Sequence, residues 1–452
     1  MKSINPYNNQ LIKEYTPYSP AEVEKILVDV DREWQSWKKL TVKERATMML
    51  KVSEVLLENK EKYAEMMALE MGKILKEARG EIEKCALLCR YYAESAEGIL
   101  ADRLVETDYS RSLIAHEPIG LVLAVMPWNF PFWQVIRFAV PCLVSGNGAL
   151  LKHASNVQGC GLMVEEIFRE AGLPENIFRT LVIPSKQVEA VITNPLVRAV
   201  MLTGSEPAGM SVASTAGKQL KKSVMELGGS DPFIVLEDAD LDKAVEVSVT
   251  SRALNVGQVC IAAKRFIVVE SVAEEFIRRH GERMAALVMG DPLDEKTQLA
   301  PMSRPEFVED IHAQVEKSVA MGATLITGGK LTDSEGYFYP ATVLSDVKKG
   351  MPVYDEETFG PVSAIITVKD EEEAIRIAND TDFGLGAAVW TQDKERGERV
   401  ARQVDCGMVF VNTLVSSNPK LPFGGSKRSG YGRECSEYGL KEFTNIKTIC
   451  VQ

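Results

Sequence analysis

From about Ala21 to Leu100 apolar residues recur at intervals of three and four, in "AEVEKILVDVDREWQSWKKL", "KERATMMLKVSEVLLENKEKYAEMMALEMG" and "EIEKCALLCRYYAESAEGIL". That period gathers them on one face of a helix and predicts a helical opening to the chain. The pattern then changes. Short apolar runs, "GLVLAVM", "GALLK", "FRTLVI" and "VRAVML", alternate with segments of helical period. Runs without polar alternation are strands buried on both faces, so the alternation predicts a doubly wound α/β layer. A second series runs through "DPFIVLED", "KRFIVVE", "ATLITGG", "ATVLSDV", "VSAIITV" and "GMVFVN". Two α/β domains in tandem follow. The stretch "RLVETDYSRSLIAHEPIG" is polar and alternating and fits neither series. With the C-terminal "KEFTNIKTICV" it predicts a small protruding sheet that pairs with another subunit.

Composition narrows the partners. A chain of 452 residues exceeds one ordinary core and suggests two or three domains of roughly 100–200 residues. A net charge of −12 disfavours nucleic acid and anionic membrane surfaces, though a local basic pocket can still take a small anion. The most apolar region, "GLVLAVMPWNFPFWQVIRFAVPCLV", is interrupted by Pro127, Asn129, Pro131 and Arg137, which excludes a membrane span. No charged leader precedes an apolar run, and the eight cysteines are scattered, so reduced thiols in the cytoplasm are expected. Cys85 and Cys89 lie one helical turn apart without companion ligands, and we read them as small residues on a buried face, with no metal site.

Four places carry possible chemistry. "VRAVML" runs into "TGSEPAG", Thr203 to Gly209, where a strand, a glycine turn and a helix N-terminus could cradle a phosphate or simply make a turn. Glu226, in "MELGGSDP", stands at a strand end before Gly228 and Gly229, as a general base or as a surface acid before a turn. Asn129, in "MPWNFPFWQVIR", is an amide in an apolar, rigid segment. It either caps backbone or donates to a ligand oxyanion. Cys260, in "ALNVGQVCIAAKR", is a nucleophile or one more small apolar residue, and no histidine motif helps it.

Taken together, "PWNFP", "TGS", "ELGG", "GQVC", "EETFGPV" and "PFGGSKRSGYGRE" resemble aldehyde dehydrogenases in order and spacing, over nearly the whole chain. "LKHASN", "NVGQVCIAAKRF" and "LPFGGSKRSGYGRE" are most similar to the short bacterial succinate-semialdehyde branch. The resemblance implies a cofactor-binding, Rossmann-like domain over 1–102 and 120–226 and a catalytic domain over 227–412. It further implies an oligomerisation segment over 103–119 and 436–452, with a substrate loop and return to the cofactor domain over 413–435. Cys260 would attack the aldehyde, with Asn129 and the Cys260 N–H holding the oxyanion and Glu226 activating water against the thioester. Trp128, Lys152, Ser155, Thr203, Gly204, Ser205, Gly228, Glu357 and Phe359 would hold the nicotinamide cofactor. Ser155 replaces a glutamate of many NAD-preferring members, so NADP is expected at least as well as NAD. Arg137, Ser417, Phe130 and Phe423 would line the substrate tunnel, Arg137 pairing with a far carboxylate.

Three departures stand out: Leu254 replaces a second carboxylate-binding arginine, Phe138 a relay lysine, and Ala262 a second cysteine. The resemblance thus implies NAD(P)-dependent oxidation of succinic semialdehyde by a homodimer or homotetramer. Alternatives are glutarate semialdehyde or an aliphatic aldehyde as substrate, a CoA-acylating enzyme, and a catalytically silent binding protein. Retention of Glu226 argues against CoA acylation, and joint retention of Cys260, Glu226 and Asn129 against silence.

Overall fold

The computed structural model describes residues 1–452. Its opening helices start where local chemistry satisfies their first N–H groups. Ser19 and Glu22 form a capping box for helix Pro20–Trp37, and Thr41 and Glu44 form one for helix Val42–Glu58. The long helical pattern after Lys43 is not one helix. Asn59 leaves helical geometry, and a separate helix, Lys60–Met71, follows until Gly72 ends it at φ +83°. Helix Leu75–Ile99 completes the group, with Cys85 and Cys89 both fully buried.

A first sheet holds five parallel strands in the order Phe178–Thr180, Gly148–His153, Leu121–Met126, Val197–Thr203, Lys222–Glu226, with Gly430–Tyr431 antiparallel at one edge. Side-chain parity sorts its two cores. Val122, Ala124, Ala149 and Leu151 pack with the three helices between residues 42 and 99, whereas Leu121, Leu123 and Leu150 pack under Pro20–Trp37. Successive connections leave Leu121–Met126 in opposite directions, so a crevice opens between its C-terminal end and that of Val197–Thr203.

The second sheet has seven strands, ordered Thr324–Thr327, Thr342–Ser345, Val362–Val368, Ala263–Val269, Asp231–Val235, Gly386–Trp390 and Met408–Val411. Two details differ from the sequence reading. Thr324–Thr327 is an antiparallel edge with Leu325 and Ile326 exposed, and Gly386–Trp390, absent from the expected strands, lies fully buried inside the sheet. A third sheet pairs Thr444–Val451 with Arg111–Pro118 along their whole length, with Arg103–Leu104 outside. No helix is long and apolar enough to cross a membrane.

Candidate active site

Cys260 lies in the loop between helix Leu241–Ala253 and strand Ala263–Val269, which enters the second sheet. The loop holds a shape that most residues avoid. Asn255 and Val256 have φ of 50° and 58°, and for a β-branched valine that is a costly conformation. Surrounding bonds impose it. Asn255 N–H donates to Glu77 Oε2 at 2.9 Å and its amide donates to the Asn129 carbonyl at 2.9 Å. The buried Arg252 guanidinium donates to the carbonyls of Gly257 and Ala263. Lys264, fully buried, donates to the Cys260 carbonyl at 2.6 Å and the Val259 carbonyl at 3.1 Å, and pairs with Glu357 at 3.0 Å. Its three N–H groups are thereby matched. The basic residue beside the cysteine thus fixes the loop, while its neighbour Arg265 binds the carbonyls of Ser230, Ile377 and Ala378. Nothing in the spacing distinguished these two roles.

Cys260 itself is half-buried and borders the crevice. Burial pushes its thiol up to about 12, against the pull of Lys264 and Arg137. The chain's own groups therefore keep it a thiol at neutral pH. Asn129 arrives from the end of strand Leu121–Met126. Its Nδ2 donates to the Gln258 carbonyl at 2.9 Å and its Oδ1 accepts from Gln134 at 3.0 Å. This fixes the amide plane and leaves one amide hydrogen uncommitted, and the Cys260 N–H donates to no protein group. Both free donors suit a developing oxyanion. Glu226 ends strand Lys222–Glu226 but does not line the crevice. It is buried, and neither carboxylate oxygen accepts a hydrogen bond. Burial, and then the charge of Glu434, raises its pKa well above the ordinary value, with Arg137 and Arg433 opposing. A Cβ on Gly424 would stand 2.6 Å from its Oε1, so glycine is what makes room for this carboxyl.

The crevice has a volume of about 820 Å³. Trp128, Lys152, Thr203, Gly204, Ser205, Gly228, Glu357 and Phe359 line it, with Asn129 and Cys260 in the same wall. Its chemistry fits a dinucleotide. Lys152 is buried at a strand's C-terminal end with no carboxylate partner, only Ser185 at 3.4 Å, and burial together with Arg304 lowers its pKa. Ser205 caps helix Glu206–Lys218 by position without spending its side chain, and Thr203 Oγ1 is buried and unpartnered. Uncommitted donors at a helix N-terminus suit a pyrophosphate. Glu357, held by Gly229 N–H and Lys264, presses so closely on Gly228 that a Cβ there would lie 2.3 Å from its Oε2. Ser155 is half-buried beside Ala154 and is the one cofactor candidate outside the lining. The charge of Arg304 on Lys152 could not be foreseen, because the two lie 152 residues apart in the chain.

The four substrate candidates lie away from this crevice. Arg137, on helix Trp133–Val144, is buried, ion-paired with Glu434 and stacked 4.4 Å from the centre of the buried Phe423 ring. It is therefore partly committed, with its Nε unpartnered. Phe138, where a relay lysine was noted as missing, packs on Phe443, and it is Arg137 that meets Glu434. Phe130 is half-buried, with Lys73 Nζ 3.7 Å from its ring centre. Ser417 is buried and accepts a hydrogen bond from Lys84.

The chain is similar to known proteins along its whole length. The model of the aldehyde dehydrogenase family matches residues 1–449. A probable succinate-semialdehyde dehydrogenase [NADP(+)] of Synechocystis sp. is 49% identical over 449 residues, covering 99% of both chains. Succinate-semialdehyde dehydrogenase [NADP(+)] 1 of Mycobacterium bovis is 45% identical, again over 99% of both. A crystal structure of succinic semialdehyde dehydrogenase from Streptococcus pyogenes in complex with NADP+ superposes with a TM-score of 0.98 at 38% identity, covering 100% of this chain and 99% of that one.

Proposed function

The chain belongs to the aldehyde dehydrogenase family, and from that premise we propose that it oxidises succinic semialdehyde to succinate with NADP+ as the preferred cofactor. One observation carries the reading. Cys260 and Asn129 stand in the wall of the crevice, and the Arg137 guanidinium, outside that lining, is still near enough to pull the Cys260 thiol pKa down. The relatives that match along their whole length bear the same activity in their names.

In this reading Cys260 Sγ gives its proton to solvent water and bonds to the aldehyde carbon, whose C=O π pair moves onto the oxygen. The resulting oxyanion takes the free Asn129 amide hydrogen and the Cys260 N–H, each donor worth ~10²–10³ in rate. Bound NADP+ supplies the acceptor for the hydride that leaves this carbon. Asn129 and Lys264 hold the loop so that the acyl group stays on Sγ as a thioester. Glu226 then takes a proton from water, the water oxygen bonds to the acyl carbon, and the C–S bond breaks to release the acid and the thiol. Lys152, in the crevice wall, supplies a donor suited to a 2′-phosphate, with no carboxylate at position 155 to repel it. We also read the chain as a cytoplasmic homodimer or homotetramer, on the strength of its exposed third sheet.

A kinetic panel tests the reading: succinic and glutaric semialdehydes, butanal and hexanal, each with NADP+ and NAD+. The highest kcat/KM is expected for succinic semialdehyde with NADP+. A higher value for a neutral aldehyde, or for NAD+, overturns the corresponding half. Cys260→Ala is expected to abolish turnover of all four.

A further inference from the structure

Helix Leu75–Ile99 is pinned to the start of helix Trp133–Val144. The Glu81 carboxylate accepts the N–H groups of Phe132 and Trp133, each at 2.8 Å, and also pairs with Lys73. One turn later on the same face stands Lys84. Its Nζ lies 4.5 Å from the centre of the Trp133 ring and donates to Ser417 Oγ at 2.6 Å. Arg137 reaches the same indole from its own helix, 5.9 Å from the ring centre. Two cations therefore flank one tryptophan.

Their charges are not balanced. Arg137 is paired with Glu434, whose second partner would have to be found elsewhere, whereas Lys84 makes no ion pair at all. On its helix, Glu81 is spent on Lys73 and two backbone N–H groups, and Glu83 on Lys60. Burial, and then the neighbouring Arg137, lowers the Lys84 ammonium to about 8, which still leaves it charged at neutral pH. An ammonium offers three N–H donors, and Ser417 uses one. A largely enclosed cation without an anion costs stability, and a second cation nearby raises that cost. Such a cost is usual where a ligand supplies the missing charge.

We infer that Lys84, together with Ser417, forms the second half of the site for the far carboxylate of the substrate, Arg137 forming the first. The inference rests on the semialdehyde reading above and deepens it. It accounts for Leu254: the second cation comes from helix Leu75–Ile99 instead of the loop before the nucleophile. A carboxylate beside Lys84 would take the ammonium N–H groups that Ser417 leaves free. A neutral aldehyde of equal length leaves both groups as they were, so the pair discriminates by charge.

Lys84 could instead only anchor the loop carrying Ser417, and the test separates the two roles. Steady-state kinetics of the full-length enzyme with NADP+ are compared for succinic semialdehyde and butanal. Losing a charged hydrogen bond is worth about 1.5–3 kcal/mol, which corresponds to ~10–100-fold. Lys84→Met is therefore expected to raise KM for succinic semialdehyde at least tenfold more than KM for butanal, with the effect on kcat much smaller. Lys84→Arg is expected to recover most of the difference. Equal changes for both aldehydes, or none, overturn the inference. If Lys84→Met fails to fold, Lys84→Gln carries the same comparison, with a severalfold selective rise in KM expected and an unselective change overturning. A wild type without preference for the semialdehyde defeats the substrate reading itself. A wild type with that preference, kept in Lys84→Met, defeats only the role of Lys84.

Discussion

Glu226 is buried, accepts no hydrogen bond and feels the charge of Glu434, which together hold its carboxyl protonated above the usual carboxylate value of about 4.3. A protonated carboxyl cannot take a proton from water. Because the pKa is raised, the hydrolytic step loses its base as pH falls through that raised value, and so well before ordinary carboxylates titrate. The acid limb of steady-state turnover is therefore expected well above the range where ordinary carboxylates titrate, while the rapid first turnover, which does not need Glu226 as base, fades less. Glu226→Gln removes the base at every pH. A stoichiometric burst of NADPH followed by a steady rate lower by ~10²–10⁴ is the expected stopped-flow trace. A variant that loses burst and steady rate alike would assign Glu226 to activation of Cys260 instead. Glu226 could be proposed from the sequence because it stands in an ordered motif. Lys84 could not, since "EIEKCALLCR" gives no sign that this lysine meets Ser417, 333 residues away.

The loop that carries Cys260 is an element without regular structure, and Gly257 is where its path is least negotiable. Its φ is +73°, and a Cβ there would lie 2.2 Å from the Gly360 carbonyl oxygen and 2.6 Å from an Arg252 nitrogen. Gly257→Ala meets about 1–3 kcal/mol of backbone strain before that clash is counted. At roughly 2–4 °C per kcal/mol, Tm is expected to fall by several degrees, with kcat falling further than stability alone explains because Asn129 and Cys260 lose register. Unchanged Tm and kcat would show that the loop relaxes freely. The left-handed conformations of Asn255 and Val256 could not be read from residue types that normally avoid them; they arise from partners distant in sequence, Glu77 and Asn129. The same limit hid strand Gly386–Trp390. Its "GAAVW" is poor in β-branched residues, and its burial comes from the neighbours Asp231–Val235 and Met408–Val411. By contrast, the apolar runs "GLVLAVM" and "VSAIITV" announced their strands, since burial on both faces writes itself into every position.

At the scale of the whole molecule, the third sheet ends in an eight-residue edge strand, Thr444–Val451, whose outer backbone groups pair with nothing in the chain. Ile446 is 66% exposed, Val451 49%, and Leu104 at the opposite edge 68%. Long apolar edges invite pairing with another chain, and a second copy is the partner always present. This edge is also tied to the site. Asn147 donates to the Phe443 carbonyl at 2.8 Å just before the strand begins, Phe443 packs on Phe138 beside Arg137, and Tyr92 holds the Ser436 carbonyl at 3.0 Å. Glu434, the partner of Arg137, stands two residues before Ser436 in the chain. Ile446→Asp with Ile449→Asp places charge along the edge. Light scattering after gel filtration is expected to show the wild type as a dimer or tetramer and the double variant as a smaller species with the same far-ultraviolet spectrum. Loss of a second copy from this edge would free the strand and the segment before it that carries Glu434, and kcat/KM for the semialdehyde is expected to fall severalfold. A dissociated variant with full kcat/KM would uncouple assembly from the Arg137–Glu434 pair, and a wild-type monomer would remove the subunit interface altogether.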